Sequence, residues 1–130
     1  MSYCEKKLKV IIAGGRDFSN YKILKQTCDN ILQNLTKIEI VSGAHYKGAD
    51  KLGEQYAKER NYQLAKFPAN WNTYGRAAGP KRNKQMANYA DVLIAFWDGK
   101  SKGTSNMINE AKRANLSVTI IYYESQPIQI

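Results

Sequence analysis

The sequence has few of the residues that hold metals or form disulfide bonds. Its 130 residues include one histidine, His45, and two cysteines, Cys4 and Cys28. The cysteines lack the spacing of zinc ligands, and a lone histidine without partners does not complete a tetrahedral site. We therefore predict no metal site, no cofactor, a loop role for His45, and reduced thiols as in a cytoplasmic protein.

Long apolar runs are also missing. The run at 92–97 has six residues, whereas a helix needs about 20 to cross a bilayer. The N-terminal residues 1–10 carry charges and no long apolar region, which argues against a signal peptide. We expect a cytoplasmic protein with no membrane partner.

Acidic residues are scarce. The chain has 11 Asp and Glu against 20 Lys and Arg, a net charge of +9. This balance favours partners that carry phosphate, either nucleotides or nucleic acid, and it does not choose between them. A hydrophobic content of 43% over this length suits one domain with a real core.

Short apolar runs alternate with segments of helical periodicity along the whole chain. Strands are predicted at 8–13, 37–42, 62–67, 92–97 and 117–122. Strands that alternate with helices indicate a parallel sheet covered on both faces. The predicted fold class is α/β: a Rossmann-like three-layer sandwich with a mostly parallel five-stranded sheet. We expect a single domain over 1–130, with 1–7 and 124–130 loosely held.

Glycine-containing loops follow the first, second and fourth predicted strands, at 14–18, 43–50 and 98–103. Free backbone N–H groups and the dipole of a following helix make such loops natural anion sites. In an open parallel sheet they share the carboxyl edge, where ligands bind. Eight of the nine glycines are expected in loops, and Thr104 is expected to cap the last helix. Neither a G-x-G-x-x-G nor a Walker motif is present.

A polar and aromatic segment at 68–80 is predicted to be a long loop, followed by a short helix at 81–89. Arg82, at the start of that helix, is the best candidate for a catalytic or phosphate-binding cation. Asp98 is the second catalytic candidate. The predicted ligand-binding residues are Gly14, Gly15, Arg16, Asp17, Ser42, Gly43, Gly48, Asp50, Trp71, Arg82, Asn83, Gly99, Lys102, Gly103 and Thr104.

Several of these residues also have purely structural interpretations. Arg16 fits either a phosphate contact or an ion pair with a nearby aspartate. Asp50 fits either a helix cap or a ribose contact, and Asp98 fits either a ribose contact or the fixing of its own loop. Trp71 fits either a base-stacking platform or an anchor over the core.

Five stretches together resemble the YspA/YpsA-related branch of the SLOG superfamily: GGRDF (14–18), SGAHYKGAD (42–50), FPANW (67–71), AGPKRNKQM (78–86) and ADVLIAFWDGKSKGT (90–104). The resemblance implies a Rossmann-like domain that binds a nucleotide or a nucleotide-derived ligand, such as a nucleoside monophosphate or an ADP-ribose-like molecule. It also implies a homo-oligomer, with a dimer expected. Some relatives are enzymes and others are sensors.

LOG phosphoribohydrolases of the same superfamily release a base from a nucleoside 5′-monophosphate. Arg82 is similar to their helix arginine, and Gly103-Thr104 to the G-T of their glycine loop. Their glutamate position is occupied here by Met107, and Glu110 is the next carboxylate along the helix. The resemblance therefore implies ligand binding and leaves an N-glycosidic or phosphate-ester hydrolase without its main acid–base group.

Two alternatives stay open. Arg82-Asn83 is similar to an Arg-Asn pair of the DNA-processing protein A family, which implies binding of single-stranded nucleic acid by stacking and phosphate contacts. The other alternative is a protein-interaction module with a vestigial site.

Overall fold

The structure, a computed structural model, describes residues 7–124. The predicted loose termini lie outside that range except for Lys7 and Glu124. Within this range the chain forms five strands, which are β1 (Leu8–Gly14), β2 (Ile38–Ser42), β3 (Gln63–Lys66), β4 (Val92–Trp97) and β5 (Ser117–Tyr122). The helices are α1 (Tyr21–Leu32), α2 (Ala49–Glu59), α3 (Trp71–Tyr74), α4 (Ala78–Tyr89) and α5 (Lys102–Arg113), with a 3-10 turn at Gly75–Ala77.

The five strands form one parallel sheet in the order β3-β2-β1-β4-β5. Ile12 of β1 lies beside Ile94 of β4, and Ile40 of β2 lies beside Val10 of β1. The strand order reverses between β1 and β4, because the chain winds outward from β1 in one direction and from β4 in the other. That reversal opens a crevice at the carboxyl ends of these two strands.

Two cores cover the two faces of the sheet, since successive side chains of a strand point to opposite faces. Ile12 packs with Leu24 of α1 and Tyr56 of α2 in one core. In the other core, Leu93 packs with Met86 of α4 and Met107 of α5. These contacts confirm the predicted sandwich of helices, sheet and helices.

The segment predicted as a long loop at 68–80 is largely helical, and that prediction was wrong. Asn70 caps α3, where its Oδ1 accepts a hydrogen bond from the backbone N–H of Thr73 at 3.1 Å. Helix α4 begins at Ala78, three residues before the predicted start. Pro80 lies in its first turn, where proline is tolerated because the backbone N–H there has no partner within the helix.

Helix α5 also begins earlier than predicted, at Lys102 with Ser101 as its N-cap residue. Thr104 is therefore not the cap; it is buried inside the first turn. The cause is Asp98, whose Oδ1 accepts the backbone N–H groups of Lys100 and Ser101, both at 2.8 Å, and turns the chain early. Gly103 consequently lies in a helix, as does Gly79 of α4, and not in a loop as predicted.

No helix in the described range 7–124 has the length and apolar character needed to cross a membrane. Cys28 is buried in α1 and carries a free thiol, whereas Cys4 lies outside the described residues.

Candidate functional site

A cavity of about 950 Å³ opens at the carboxyl edge of the sheet, at the crevice between β1 and β4. Its walls come from the segments that follow β1, β2 and β4 and from the starts of α3, α4 and α5. All predicted site residues line it except Ser42, Gly48 and Gly99. Residues from six separate stretches of sequence therefore meet in one place, as the carboxyl-edge argument predicts.

The three exceptions serve the loops themselves. Ser42 is buried, and its Oγ donates to Glu54 Oε2 at 2.7 Å and accepts the N–H of Ala44 at 3.0 Å. Gly48 and Gly99 both have positive φ, at +76° and +82°, which L side chains rarely adopt. A side chain on Gly48 would also collide with the carbonyl oxygen of Gly15. These residues set the conformation of the loops that form the cavity and do not line the cavity themselves.

The loops after β1 and β2 are packed directly against each other. The backbone N–H of Ala49, at the start of α2, donates to the carbonyl oxygen of Gly15 at 3.1 Å. Asp17 of the first loop accepts a hydrogen bond from the Tyr123 hydroxyl at 2.5 Å. The hydroxyl of Tyr123 lies so close to Gly15 that a side chain at that glycine would collide with it. The backbone around Gly15 is thereby held in place at the cavity wall.

Arg82 crosses the cavity from α4 to the ends of β2 and β3. Its Nη1 donates to the carbonyl oxygen of Gly43 and, at 3.5 Å, to that of Phe67. Its Nε donates to Asn83 Oδ1 at 2.9 Å. Burial is the main cause that lowers the pKa of Arg82, and nearby Arg16 lowers it further, whereas Asp50 raises it. A guanidinium stays protonated through such a shift, so a positive charge lies in the wall of the cavity.

Asp50, at the start of α2, lies on the other side of Gly43. A Cβ atom on Gly43 would be 2.6 Å from Arg82 Nη1 and 2.8 Å from Asp50 Oδ2. Asp50 Oδ2 accepts the N–H of His45 at 3.1 Å. Burial is the main cause that raises the pKa of Asp50 above its ordinary value. Glycine at position 43 leaves both charged groups in these positions, because an added methyl group would displace the ends of their side chains.

Three further cations line the cavity: Arg16, Lys47 and Lys102. Lys47 Nζ lies 5.7 Å from the centroid of the Tyr46 ring. Within residues 7–124, the side chains of Arg16 and Lys102 have no hydrogen-bond or ion-pair partner. The carboxylates behave differently: Asp17, Asp50 and Asp98 each bond to a hydroxyl or backbone N–H group. The carboxylates therefore hold the loops, whereas Arg16 and Lys102 make no such bonds within the described residues.

The family model for the YspA, cpYpsA-related SLOG family matches residues 8–74, from β1 through α3. The chain belongs to this family. It is also 27% identical over 117 residues to the Gene 61 protein of Mycobacterium phage D29, a similarity that covers 85% of this chain and 93% of that protein. No solved structure matches the chain. SLOG membership suggests nucleotide-related binding.

The position of the LOG glutamate is apolar in this SLOG protein. Met107 is buried on α5 and lines the cavity. Glu110 does not replace the missing carboxylate, because it lies outside the cavity lining and its Oε1 pairs with Arg113 at 3.3 Å. Among the described residues, no group of three or more His, Cys, Asp or Glu side chains is arranged to hold a metal ion.

The rim of the SLOG cavity carries two exposed aromatic side chains. Trp71 is 51% exposed and rests on α4, where a Cβ atom on Gly79 would be 3.3 Å from the indole. Tyr46 is 76% exposed and stacks on His45 with ring centroids 4.8 Å apart. The sequence prediction included Trp71 and missed Tyr46.

Asn106 is another lining residue that the sequence prediction missed. Its Oδ1 accepts a hydrogen bond from Asn83 Nδ2 at 2.9 Å. The only sequence signal for it is its place beside Met107, next to the expected glutamate. The contact joins two residues that lie 23 positions apart in sequence, on α4 and α5. Such a contact leaves no mark on local periodicity.

Proposed function

We propose that this SLOG protein binds a nucleotide or a nucleotide-derived ligand in the cavity, in the role of a sensor. One observation carries the proposal: Arg82 is held only by neutral acceptors, which are the oxygens of Gly43, Phe67 and Asn83. Among residues 7–124, no carboxylate forms an ion pair with it. A phosphate would supply the missing negative charge through charge-assisted hydrogen bonds.

The surroundings of Arg82 support a ligand of this class. A cavity of about 950 Å³ lies near the upper end of the usual range for small-molecule sites, roughly 300 to 1,000 Å³. Arg16 and Lys102 add positive charge from two other walls. The first turn of α5, with Gly103 and Thr104, adds free N–H groups and a favourable helix dipole. Nucleoside monophosphates and ADP-ribose-like molecules are the ligands we propose.

Binding fits the site better than hydrolysis does. The LOG-type reaction needs a carboxylate where Met107 lies, and Asp98 Oδ1 already accepts two backbone N–H groups. If the protein cleaves its ligand, we expect Arg82 to stabilise negative charge and Asp17, Asp50 or Asp98 to act as the base.

The test is isothermal titration calorimetry with AMP, ADP-ribose and adenosine. We expect AMP and ADP-ribose to bind at least about tenfold more tightly than adenosine, because hydrogen bonds to a charged group contribute roughly 1.5–3 kcal/mol. Equal affinities for AMP and adenosine would contradict an anion site at Arg82. Each mixture is also assayed for released base, which would move the proposal from sensor to hydrolase.

A second candidate, binding of single-stranded nucleic acid, is favoured by the charge and shape of one segment. The 31 residues from Arg60 to Ala90 include six Lys or Arg and no Asp or Glu. Within it, Trp71 and Tyr74 are about half exposed, and Lys81 Nζ lies 4.8 Å from the Tyr74 ring centroid. Exposed aromatic rings next to cations are typical of stacking surfaces for single strands.

The same titrations distinguish the two candidates when a twelve-nucleotide single-stranded oligonucleotide is added at two salt concentrations. An oligonucleotide site predicts affinity that falls steeply with salt and weakens in Trp71→Ala, because many phosphates release counterions. A mononucleotide site predicts a weak salt dependence. Failure of every ligand to bind would contradict both candidates and leave the vestigial interaction module.

A further inference from the structure

Asn83 is a buried polar side chain between two walls of the cavity. It is 6% exposed and lies on α4, next to Arg82. Its Oδ1 accepts the Nε–H of Arg82 at 2.9 Å, and its Nδ2 donates to Asn106 Oδ1 at 2.9 Å and to the carbonyl oxygen of Gly103 at 3.4 Å. Both hydrogens of its NH₂ group are therefore used by the protein.

The orientation of this amide is fixed by chemistry. A guanidinium only donates hydrogen bonds, and a backbone carbonyl only accepts them. The Asn83 oxygen must therefore face Arg82, and its nitrogen must face Gly103. The opposite orientation would put a donor against a donor and an acceptor against an acceptor inside the protein, which is costly.

A continuous series of hydrogen bonds results. It runs from the carbonyl oxygen of Gly43 through the guanidinium of Arg82 and the amide of Asn83 to Gly103 and Asn106 in the first turns of α5. The end of β2 and the start of α5 are thus joined across the floor of the cavity. The distance between the end of β2 and the start of α5 is therefore fixed for a ligand that bonds to both.

We propose that Asn83 is a positioning residue: it orients the Arg82 guanidinium and ties it to the start of α5, and it acts on the ligand through Arg82. This inference rests on the proposed function for its effect on binding. It differs from the sequence prediction, which placed Asn83 among the ligand contacts.

The first test is a double-mutant cycle measured by calorimetry with AMP. We expect Asn83→Ala to weaken AMP binding about tenfold, because a mobile guanidinium must be ordered by the ligand. In an Arg82→Lys background, which keeps the charge and lacks the Nε–H group, the same substitution should have an effect of less than about twofold. Equal losses in the two backgrounds would overturn the inference, since they would mean that Asn83 contacts the ligand itself.

The matched control is Gln85→Ala, on an exposed position of the same helix. It should leave AMP affinity within about twofold of the wild type, as expected for a surface substitution. Circular dichroism and the urea unfolding midpoint of each variant separate lost binding from lost structure.

A second readout needs no ligand. In ¹⁵N NMR spectra, the Arg82 Nε–H signal should exchange slowly with water in the wild type and in Gln85→Ala, because it donates to a buried oxygen. It should exchange rapidly in Asn83→Ala. Rapid exchange in the wild type would overturn the inference even if AMP binds. If AMP does not bind, the proposed function fails and this exchange measurement still decides the role of Asn83.

Discussion

Two arginines of this protein have opposite environments. Arg60, at the end of α2, forms a two-point pair with Asp29 of α1: its Nε lies 3.0 Å from Oδ1 and its Nη2 lies 2.5 Å from Oδ2. Arg82 is half-buried in the cavity and contacts only neutral oxygen atoms. The first guanidinium bonds directly to a carboxylate, whereas the second has Asp50 nearby and no ion pair with it.

The partner carboxylates show the same contrast. The pKa of Asp29 is lowered, chiefly by its hydrogen bond from Arg60. The pKa of Asp50, near Arg82, is raised, chiefly by burial. A direct hydrogen bond from a guanidinium stabilises the ionised carboxylate. Asp50 is buried near a guanidinium that bonds to other groups, and this proximity does not compensate for the water that the carboxylate loses. This contrast is the reason that we propose Arg82, and not Arg60, as the ligand-binding arginine.

The largest effect should come from removing each arginine in turn. Arg82→Ala should weaken AMP binding about 100-fold, which corresponds to the loss of charge-assisted hydrogen bonds, with a small change in unfolding midpoint. Arg60→Ala should leave AMP affinity unchanged and lower the midpoint of urea unfolding. Calorimetry and urea titrations measure the two quantities. The comparison would be wrong if the two variants lost affinity equally.

A smaller effect should follow from filling the space between Arg82 and Asp50. In Gly43→Ala the added methyl group would be 2.6 Å from Arg82 Nη1. The end of that flexible side chain would shift, so we expect about tenfold weaker AMP binding with little loss of stability.

Gly103→Ala is the matched control, because it lines the same cavity and its methyl group meets no atom within 4 Å. It should raise stability by roughly 0.5–1 kcal/mol, as Gly→Ala does within a helix. It should also weaken AMP binding less than Gly43→Ala does. A larger loss at Gly103 would move the main ligand contact from Arg82 to the start of α5.

The sequence was sufficient to predict the sheet and the meeting of most predicted site residues at one edge of it. Runs such as Val92–Trp97 predict buried strands because a parallel strand is covered on both faces. The carboxyl-edge rule then brings Arg82 and the glycine loops together. The boundaries of α3 and α4 were missed because WNTYGRAAGP has no helical periodicity, and its short helix depends on the Asn70 cap.

Side-chain partners were harder to predict than elements. Ser42 was expected to face the ligand, but its partner Glu54 lies on the next helix, behind the loop. Asn83 was expected to bind the ligand, and its two amide hydrogens are used by Gly103 and Asn106. Both outcomes depend on the packing of separate elements, which local sequence does not encode.

The smallest expected effect is on the pH dependence of the free energy of unfolding, to which Asp50 and Asp29 contribute in opposite directions. Asp50 has a raised pKa in the folded state, so its contribution to stability is fully present below about pH 4 and is lost as the pH rises through the folded pKa. Asp29 has a lowered pKa, so its contribution is present above about pH 4 and is lost as the pH falls through the folded pKa. Replacing each aspartate by asparagine should therefore change the free energy of unfolding in opposite directions.

Asp50→Asn should be more stable than the wild type at pH 7, and the difference should shrink toward pH 4. Asp29→Asn should be less stable than the wild type at pH 7, and the difference in stability between the two should also shrink as the solution becomes acidic. Urea unfolding at several pH values between 3.5 and 7.5 measures both. Destabilisation of Asp50→Asn at neutral pH would mean that the Asp50 carboxylate is paired with Arg82 after all, and that the two arginines differ less than their contacts indicate.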